Sequence, residues 1–310
     1  MPNAATPAAS AVPPWTLAVG AMLSVQLGSA LSVPLIDTVG AAGTAWLRLS
    51  FGALAFLVLA RPPLRSIRRV DLPPLIGLGV TSGLVTICFL AAIERIPLGT
   101  AVAIEFLGPL TVAAIRSHRT RALVWPGLAL VGVLGLTEPW KGSIDVAGLT
   151  FAALGAVGWA ASIVLTQHVG DRFTGVTALS ITVPIAAVTA AVVGVPQAAG
   201  HLSLKLVLTA AGLALLFPVL QYALDMLALR RMTPTAFGTL MALEPALGLA
   251  LGLIVLSQHP SAIQLGSIAL VVLAGAGAQR GGRRPAFTNT TTTDTPQDHN
   301  LLPANMTEPS

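Results

Sequence analysis

Four ionisable side chains lie inside otherwise apolar stretches of the sequence: Arg48, Glu105, Asp225 and Glu244. A charged side chain at the centre of a bilayer costs about 2.5–3.5 kcal/mol on insertion scales, so such residues usually face a partner or a polar interior. A guanidinium binds carboxylates through paired hydrogen bonds, and a carboxylate inside a bundle can bind an ammonium group or a proton. These residue types predict a site for a small charged molecule or for protons.

Arg48 and Glu105 are predicted to lie at the same depth. Each follows about 8 residues after the start of its apolar stretch, and both stretches run in the same direction. At 1.5 Å per residue, both side chains would lie roughly 12 Å below the outer surface. We predict that Arg48 binds a substrate carboxylate and that Glu105 faces its ammonium group or carries a proton. The alternative is a structural ion pair between the two helices.

Glu244 lies near the middle of its stretch and is followed by Pro245. Proline removes a backbone donor and can bend a helix, so Glu244 and Pro245 are predicted to act in gating or proton coupling. The alternative is a permanently protonated acid bonded to a neighbouring helix. Asp225 is also predicted to act in gating or proton coupling. The alternative is that Asp225 is an acid at the membrane interface, near Arg230 and Arg231.

Further polar side chains recur at helical spacing. Gln221, Tyr222 and Asp225 form one stripe, whereas Gln26 and Trp159 lie on the polar faces of two other segments. Polar groups in lipid need partners, so these faces are predicted to point inward, with Ser and Thr helix packing as the alternative for the last two. The predicted substrate-binding residues are Arg48, Glu105, Gln26, Gln221, Tyr222 and Trp159, and the predicted coupling or gating residues are Glu105, Glu244, Pro245 and Asp225.

The composition predicts a membrane protein. Of 310 residues, 54% are hydrophobic and 9% are charged, against about 25% charged in soluble domains. The arginines collect in short clusters between apolar stretches, which argues against a nucleic-acid-binding face. Cys88 is the single cysteine and the histidines are scattered, so neither a disulfide nor a metal site is predicted. No phosphate-binding loop or nucleophile motif occurs, so we predict no cofactor and no enzymatic activity.

Ten apolar segments predict an all-α polytopic protein with ten transmembrane helices. They cover residues 15–36, 40–60, 72–92, 97–115, 122–137, 147–167, 174–195, 205–228, 233–256 and 261–279. One set of alternate loops holds thirteen arginines and the other set holds three basic residues, which places both termini in the cytoplasm. Residues 1–14 and 281–310 are predicted to be disordered.

The sequence also contains an internal repeat. A shift of 136 residues places Leu90–Ile96 over Met226–Met232 and Pro109 over Pro245. This register predicts two five-helix repeats, 15–138 and 147–280. Because five is odd, the two repeats would cross the membrane in opposite directions, as in many secondary transporters.

The stretch AIERIPLGTAVAIEFLGPLTVA at residues 92–113 and the LEP at 243–245 carry a family resemblance. They resemble the EamA family of the drug/metabolite transporter superfamily, and most closely its threonine and homoserine exporter branch. The resemblance covers about residues 15–280. It implies a ten-helix inner-membrane exporter of amino acids or related metabolites that is driven by proton exchange.

Together these patterns predict a secondary transporter that exports small amino acids by proton antiport with alternating access. Its expected partners are a small-molecule substrate, protons and the lipid bilayer, with a homodimer left open. Efflux of drugs or cationic compounds on the same fold is one alternative. An intramembrane enzyme that uses paired carboxylates is another, and a receptor or scaffold without transport is a third.

Overall fold

The protein is described by a computed structural model that covers residues 13–60, 67–116, 120–141, 145–170, 173 and 175–281. Within these ranges the chain is helical and contains no β-strand. The all-α fold predicted from the composition is therefore confirmed. Almost all of the two terminal segments predicted to be disordered lie outside the described residues.

Thirteen α-helices follow one another along the described chain. The first six are α1 (Pro14–Ala30), α2 (Val33–Leu59), α3 (Leu72–Ile93), α4 (Leu98–Glu105), α5 (Leu107–Arg116) and α6 (Val124–Thr137). The others are α7 (Val146–Gly170), α8 (Gly175–Ala198), α9 (Leu204–Ala214), α10 (Gln221–Leu229), α11 (Pro234–Met241), α12 (Glu244–Leu256) and α13 (Ala262–Gly281). A π-helical segment, Leu215–Leu220, joins α9 to α10.

Eight helical segments of the described chain are long and apolar enough to cross a membrane. They are Val33–Leu59, Arg69–Ile93, Leu98–Arg116, Thr120–Thr137, Val146–Val169, Val176–Ala198, Leu204–Leu229 and Ala236–Leu256. The first and last apolar segments of the sequence correspond to shorter helices, α1 with 17 residues and Ala262–Ala278. These lengths establish a multi-pass membrane protein with eight candidate spans.

The helix α2 is interrupted at Gly40, where φ is 73° and ψ is 167°. Only glycine adopts this φ at little cost, and a side chain here would also meet Gln197 of α8. The Gln197 Oε1 atom accepts hydrogen bonds from the N–H groups of Ala42 and Gly43, at 3.0 and 3.2 Å. The helix that carries Arg48 therefore starts at a glycine break capped by a neighbouring glutamine.

Two spans are broken near their middle. The helices α4 and α5 are separated at Phe106, and α11 and α12 are separated at Ala242 and Leu243. Pro109 and Pro245 lie just after these breaks. Because proline has no N–H, the carbonyl group four residues earlier lacks its helical partner, which weakens the helix at that point. The bend predicted at Pro245 thus has a counterpart at Pro109.

The helices pack in a defined set of pairs. The largest contacts join α2 to α8, α3 to α7, α6 to α13 and α3 to α8. In addition, α4 packs on α12, and α1 packs on α10. The Leu98 N–H at the start of α4 donates to Gln258 Oε1 just beyond α12, at 3.1 Å. The core between these helices consists largely of Ala, Val, Leu and Ile, which allows close approach.

We predict that Gly83→Ala destabilises the protein. A methyl group at position 83 of α3 would lie 2.7 Å from the Ala186 carbonyl oxygen and 3.0 Å from Thr189 Cβ of α8. Overpacking of this kind costs about 1–3 kcal/mol. Gly266→Ala is the matched control, because nothing lies within 4 Å of that methyl position. Thermal unfolding in detergent should show a lower midpoint for the first variant alone, and equal midpoints would contradict this packing.

Candidate functional site

The buried polar atoms that lack a hydrogen-bond partner identify one region. In the described part of the chain there are six such side-chain atoms, and all belong to residues predicted above: Gln26 Oε1, Arg48 Nε, Glu105 Oε1, Gln221 Oε1, Asp225 Oδ1 and Glu244 Oε2. Leaving a buried polar group without a partner costs about 1–3 kcal/mol, so native proteins contain few of them. Their restriction to these residues makes this region the candidate binding site.

Glu244 lies at the centre of this region. It is the first residue of α12 and is 7% exposed, and its Oε1 accepts a hydrogen bond from Gln26 Nε2 of α1 at 3.3 Å. Glu105 lies at the end of α4, which packs on α12, and Asp225 lies on α10, which packs on the same helix α1 that carries Gln26. Three different spans thus contribute one carboxyl group each, and we refer to Glu105, Asp225 and Glu244 as the acid cluster.

Glu105 is the last residue of α4 and points toward α7. A methyl group on Gly155 of α7 would overlap its Oε1 atom, so the glycine provides the space for the carboxyl group. The next residue, Phe106, packs edge-on against Trp159, with 6.4 Å between ring centroids. The structure therefore places Trp159 beside the acid-bearing break as a packing partner, and its contact with substrate stays a prediction.

The stripe on α10 is partly buried. Gln221 Nε2 donates to Asp225 Oδ2 at 3.1 Å, and the Tyr222 ring contacts Phe56 and Phe217 at centroid distances of 6.1 and 6.3 Å. Asp225 forms no ion pair with the basic residues that follow α10 in the described chain. The structure thus shows no ion pair for Asp225 with these residues, and whether Asp225 acts in coupling or is an interfacial acid stays a prediction.

Arg48 is 1% exposed and is one of the largest fully buried side chains. Its Nη1 donates to Ser32 Oγ at 2.8 Å, and its guanidinium carbon lies 5.0 Å from the centre of the Phe217 ring. No carboxylate forms an ion pair with Arg48 among the described residues. The Arg48–Glu105 pair considered from the sequence is thus wrong, because Ser32 and Phe217 hold Arg48 while Glu105 turns toward Gly155.

A buried cation without a counter-ion is costly, since desolvation of an ion takes several kcal/mol even after relaxation. Arg48 keeps an N–H without a partner, and the acid cluster keeps three carboxyl oxygens without one. The Phe217 ring contacts both Arg48 and Tyr222, so Arg48 lies next to the polar stripe on α10 that also carries Asp225. The arrangement provides a donor site for a carboxylate and, nearby, acceptors for an ammonium group, a hydroxyl group or protons.

The sequence did not predict several residues that shape this site. Ser32, Phe217 and Gly155 touch Arg48 or Glu105 but were not singled out. The sequence did contain a signal for Ser32, because Ser24, Gly28 and Ser32 are four residues apart and small residues at this spacing share a helix face. Pro218 was a signal for irregular backbone at Phe217, whereas no sequence signal placed Gly155. Among the described residues, no group of three or more His, Cys, Asp or Glu side chains could hold a metal ion.

A multi-pass helical bundle with buried ionisable residues at broken helices is an arrangement typical of membrane transporters. Residues 146–277 match the EamA-like transporter family. The threonine/homoserine exporter RhtA of Escherichia coli strain K12 is 33% identical over 268 residues, which cover 86% of this chain and 90% of that protein. The Salmonella typhimurium protein of the same name is 32% identical over 261 residues, 83% of this chain and 88% of that relative. The chain therefore belongs to the EamA-like transporter family.

Proposed function

We propose that this protein exports small amino acids, such as threonine and homoserine, or related metabolites across the cytoplasmic membrane in exchange for protons. The names of the two relatives support this cargo. One observation in the structure carries the proposal, namely that Arg48 is buried without a carboxylate partner and retains an unpaired N–H. The carboxylate of an amino acid supplies the missing partner through charge-assisted hydrogen bonds.

The rest of the substrate is recognised by the acid cluster and its two amides. An amino acid carries an ammonium group close to its carboxylate, and this group needs acceptors. Glu244 Oε2 and Asp225 Oδ1 are unpaired acceptors, and Gln26 Oε1 and Gln221 Oε1 suit the ammonium or a side-chain hydroxyl group. We propose that Tyr222 and Trp159 form part of the wall of the substrate site. The site therefore favours a zwitterion over a purely cationic compound.

Proton exchange follows from competition for the same carboxyl groups. The ammonium group of the substrate and a proton both neutralise the acid cluster, and neighbouring carboxylates repel each other strongly in a poorly solvated interior. A substrate molecule bound from the cytoplasm therefore leaves the site when protons enter it from the outside. Glu105 and Glu244 suit this role because each lies at a break in its span, and Pro245 provides flexibility beside Glu244.

Alternating access is proposed to occur between two inverted five-helix halves, 15–138 and 147–280, in a ten-span protein. The packing supports this architecture, since α2 with α8, α4 with α12 and α6 with α13 join helices at equivalent positions of the halves. The contact of α1 with α10 has its counterpart in that of α7 with α3. The arginine distribution supports cytoplasmic termini.

We predict that the purified protein releases labelled threonine from proteoliposomes when the outside is made acidic. The inward proton gradient should accelerate efflux several-fold, and a protonophore should remove this acceleration. Protein-free liposomes are the first control, and liposomes loaded with threonine amide, which lacks the carboxylate, are the second. Efflux of a cationic dye without efflux of threonine would replace this proposal with drug efflux.

A further inference from the structure

One face of α1 and of the turn that follows it lies against the guanidinium group of Arg48 and the backbone beside Phe217. Ser24, Gly28 and Ser32 follow one another at intervals of four residues, and Leu31 and Ser32 keep right-handed helical angles after α1 ends. The three residues therefore lie on the same side of one helical path. We name Ser24, Gly28 and Ser32 the arginine seat. The Phe217 ring lies over the guanidinium group that the seat holds.

Each member of the arginine seat makes a specific contact. Ser32 Oγ accepts the hydrogen bond from Arg48 Nη1 and donates one to the Gly28 carbonyl oxygen at 2.6 Å. Ser24 Oγ donates to the Leu216 carbonyl oxygen, also at 2.6 Å. This bond holds the backbone immediately before Phe217, where the helix is distorted to φ −140° and ψ 122°. The seat thus fixes both the arginine and the aromatic ring that covers it.

The contacts leave one edge of the guanidinium group without partners. A guanidinium has two edges that can bind a carboxylate through paired bonds, one formed by Nη1 and Nη2 and one formed by Nε and Nη2. Ser32 occupies Nη1, whereas Nε is buried and has no partner. Among the described residues, Arg48 donates to no side chain besides Ser32. Ser32 uses one of the two N–H groups of Nη1, so the Nε–Nη2 edge is the one on which neither nitrogen has a partner in the described part of the chain.

Gly28 provides space at this edge. A methyl group on Gly28 would lie 3.6 Å from Arg48 Nη2, and it would also contact Leu216 Cβ at 3.4 Å and Phe217 Cβ at 3.7 Å. A single methyl group would therefore make ordinary contacts with all three. A branched side chain at the same position would extend further and occupy the volume beside Nη2.

We propose that Ser32 is a positioning residue and Gly28 a specificity-determining residue for carboxylate recognition, with the ligand carboxylate bound in the plane of Arg48 through Nε and Nη2. This inference rests on the proposed function and deepens it. Ser32 keeps Nη1 out of the binding edge, and the Phe217 ring blocks one face of the guanidinium. The site therefore selects a planar carboxylate over a carboxamide, which offers only one acceptor oxygen to the two donors.

The test of Ser32 compares Ser32→Ala with Ser29→Ala in threonine transport. Ser29 Oγ also donates to a backbone carbonyl four residues earlier, that of Val25 at 2.8 Å, so both variants lose the same kind of bond. We expect Ser32→Ala to raise the KM for threonine about tenfold with little change in maximal rate, and Ser32→Thr to restore the wild-type KM. Equal KM values for the two alanine variants would overturn the positioning role.

The test of Gly28 uses ligand binding and does not require transport. Thermal unfolding of the purified protein is measured with L-threonine, L-lactate and threonine amide, since a ligand that binds the folded state raises the midpoint. We expect the two carboxylates to stabilise the wild type more than the amide does. Gly28→Val should lose this stabilisation, and Gly28→Ala should retain most of it. Equal stabilisation of wild type and Gly28→Val would overturn the role of Gly28.

The two readouts separate this inference from the proposed function. If the wild type moves no threonine but carboxylates stabilise it in a Gly28-dependent manner, the cargo is wrong and the arginine seat stands. If the wild type moves threonine and neither Ser32→Ala nor Gly28→Val changes KM or stabilisation, the function stands and the seat is overturned. If no carboxylate binds and no threonine moves, both are overturned.

Discussion

Replacing Arg48 by alanine is expected to raise the KM for threonine roughly 30-fold or more, because removal of one partner of a buried charged hydrogen bond costs about 2 kcal/mol or more. The loss should be largest for substrates that carry a carboxylate and small for threonine amide. Arg48→Lys should recover little, since an ammonium group cannot form the fork of two parallel bonds. Initial rates of threonine and threonine amide efflux from proteoliposomes measure this difference.

The matched control for this prediction is Arg95→Ala. Arg95 pairs with Asp145 at 3.7 Å, and both side chains are well exposed, at 43% and 37%. Exposed pairs contribute about 0–1 kcal/mol, so this variant removes an arginine with little effect on folding or transport. Thermal unfolding confirms that the Arg48 variants are folded before their rates are compared. Wild-type KM values in folded Arg48→Ala would exclude Arg48 from substrate binding.

Replacing Glu105 by glutamine is expected to remove the dependence of efflux on the proton gradient. Glutamine has nearly the same shape, so it fits against Gly155, but it cannot bind and release a proton. Threonine efflux under an acidic exterior should fall to the rate measured without a gradient. Exchange of internal for external threonine at equal pH should be less affected, because exchange does not require net proton movement.

The control for this variant is Glu94→Gln, which changes an exposed glutamate just beyond α3. It should retain gradient-driven efflux. Glu244→Gln tests the second acid of the cluster, and it should also impair coupling because α12, which carries Glu244, packs on α4, which carries Glu105. Gradient-driven efflux at the wild-type rate in Glu105→Gln would show that another group carries the proton.

The helices could be predicted from the sequence because hydrophobicity alone separates them. All ten apolar segments coincide with helices in the described chain, with boundaries that differ by a few residues at most ends. The bend predicted at Pro245 coincides with the break between α11 and α12, whereas the break near Pro109 was not predicted. The irregular backbone at Phe217 was not predicted, although Pro218 directly after it disfavours helical angles at that residue. Such a distortion depends on neighbouring side chains, here including Ser24 of α1.

The burial of the candidate site residues was easier to predict than their partners. Arg48, Glu105, Gln26 and Glu244 stood out because polar groups are rare and costly in lipid, and all four are buried. The expected Arg48–Glu105 contact rested on equal depth in the membrane. Depth is a single coordinate, and the order and rotation of the helices decide which side chains meet. That information lies in the packing of the whole bundle.

At two helix starts the partner of the free backbone N–H groups is a neutral glutamine and not a carboxylate. The N–H groups at the start of the Arg48 helix and of α4 bind amide oxygens of Gln197 and Gln258. A carboxylate would bind these N–H groups more strongly, but it would add a charge and a titratable group. Moving one charge across the membrane costs about 2.3 kcal/mol per 100 mV. Because the amides are neutral, the glutamines add no titratable charge at these helix ends, and the charges that pH and voltage can act on inside the bundle are those of the candidate site.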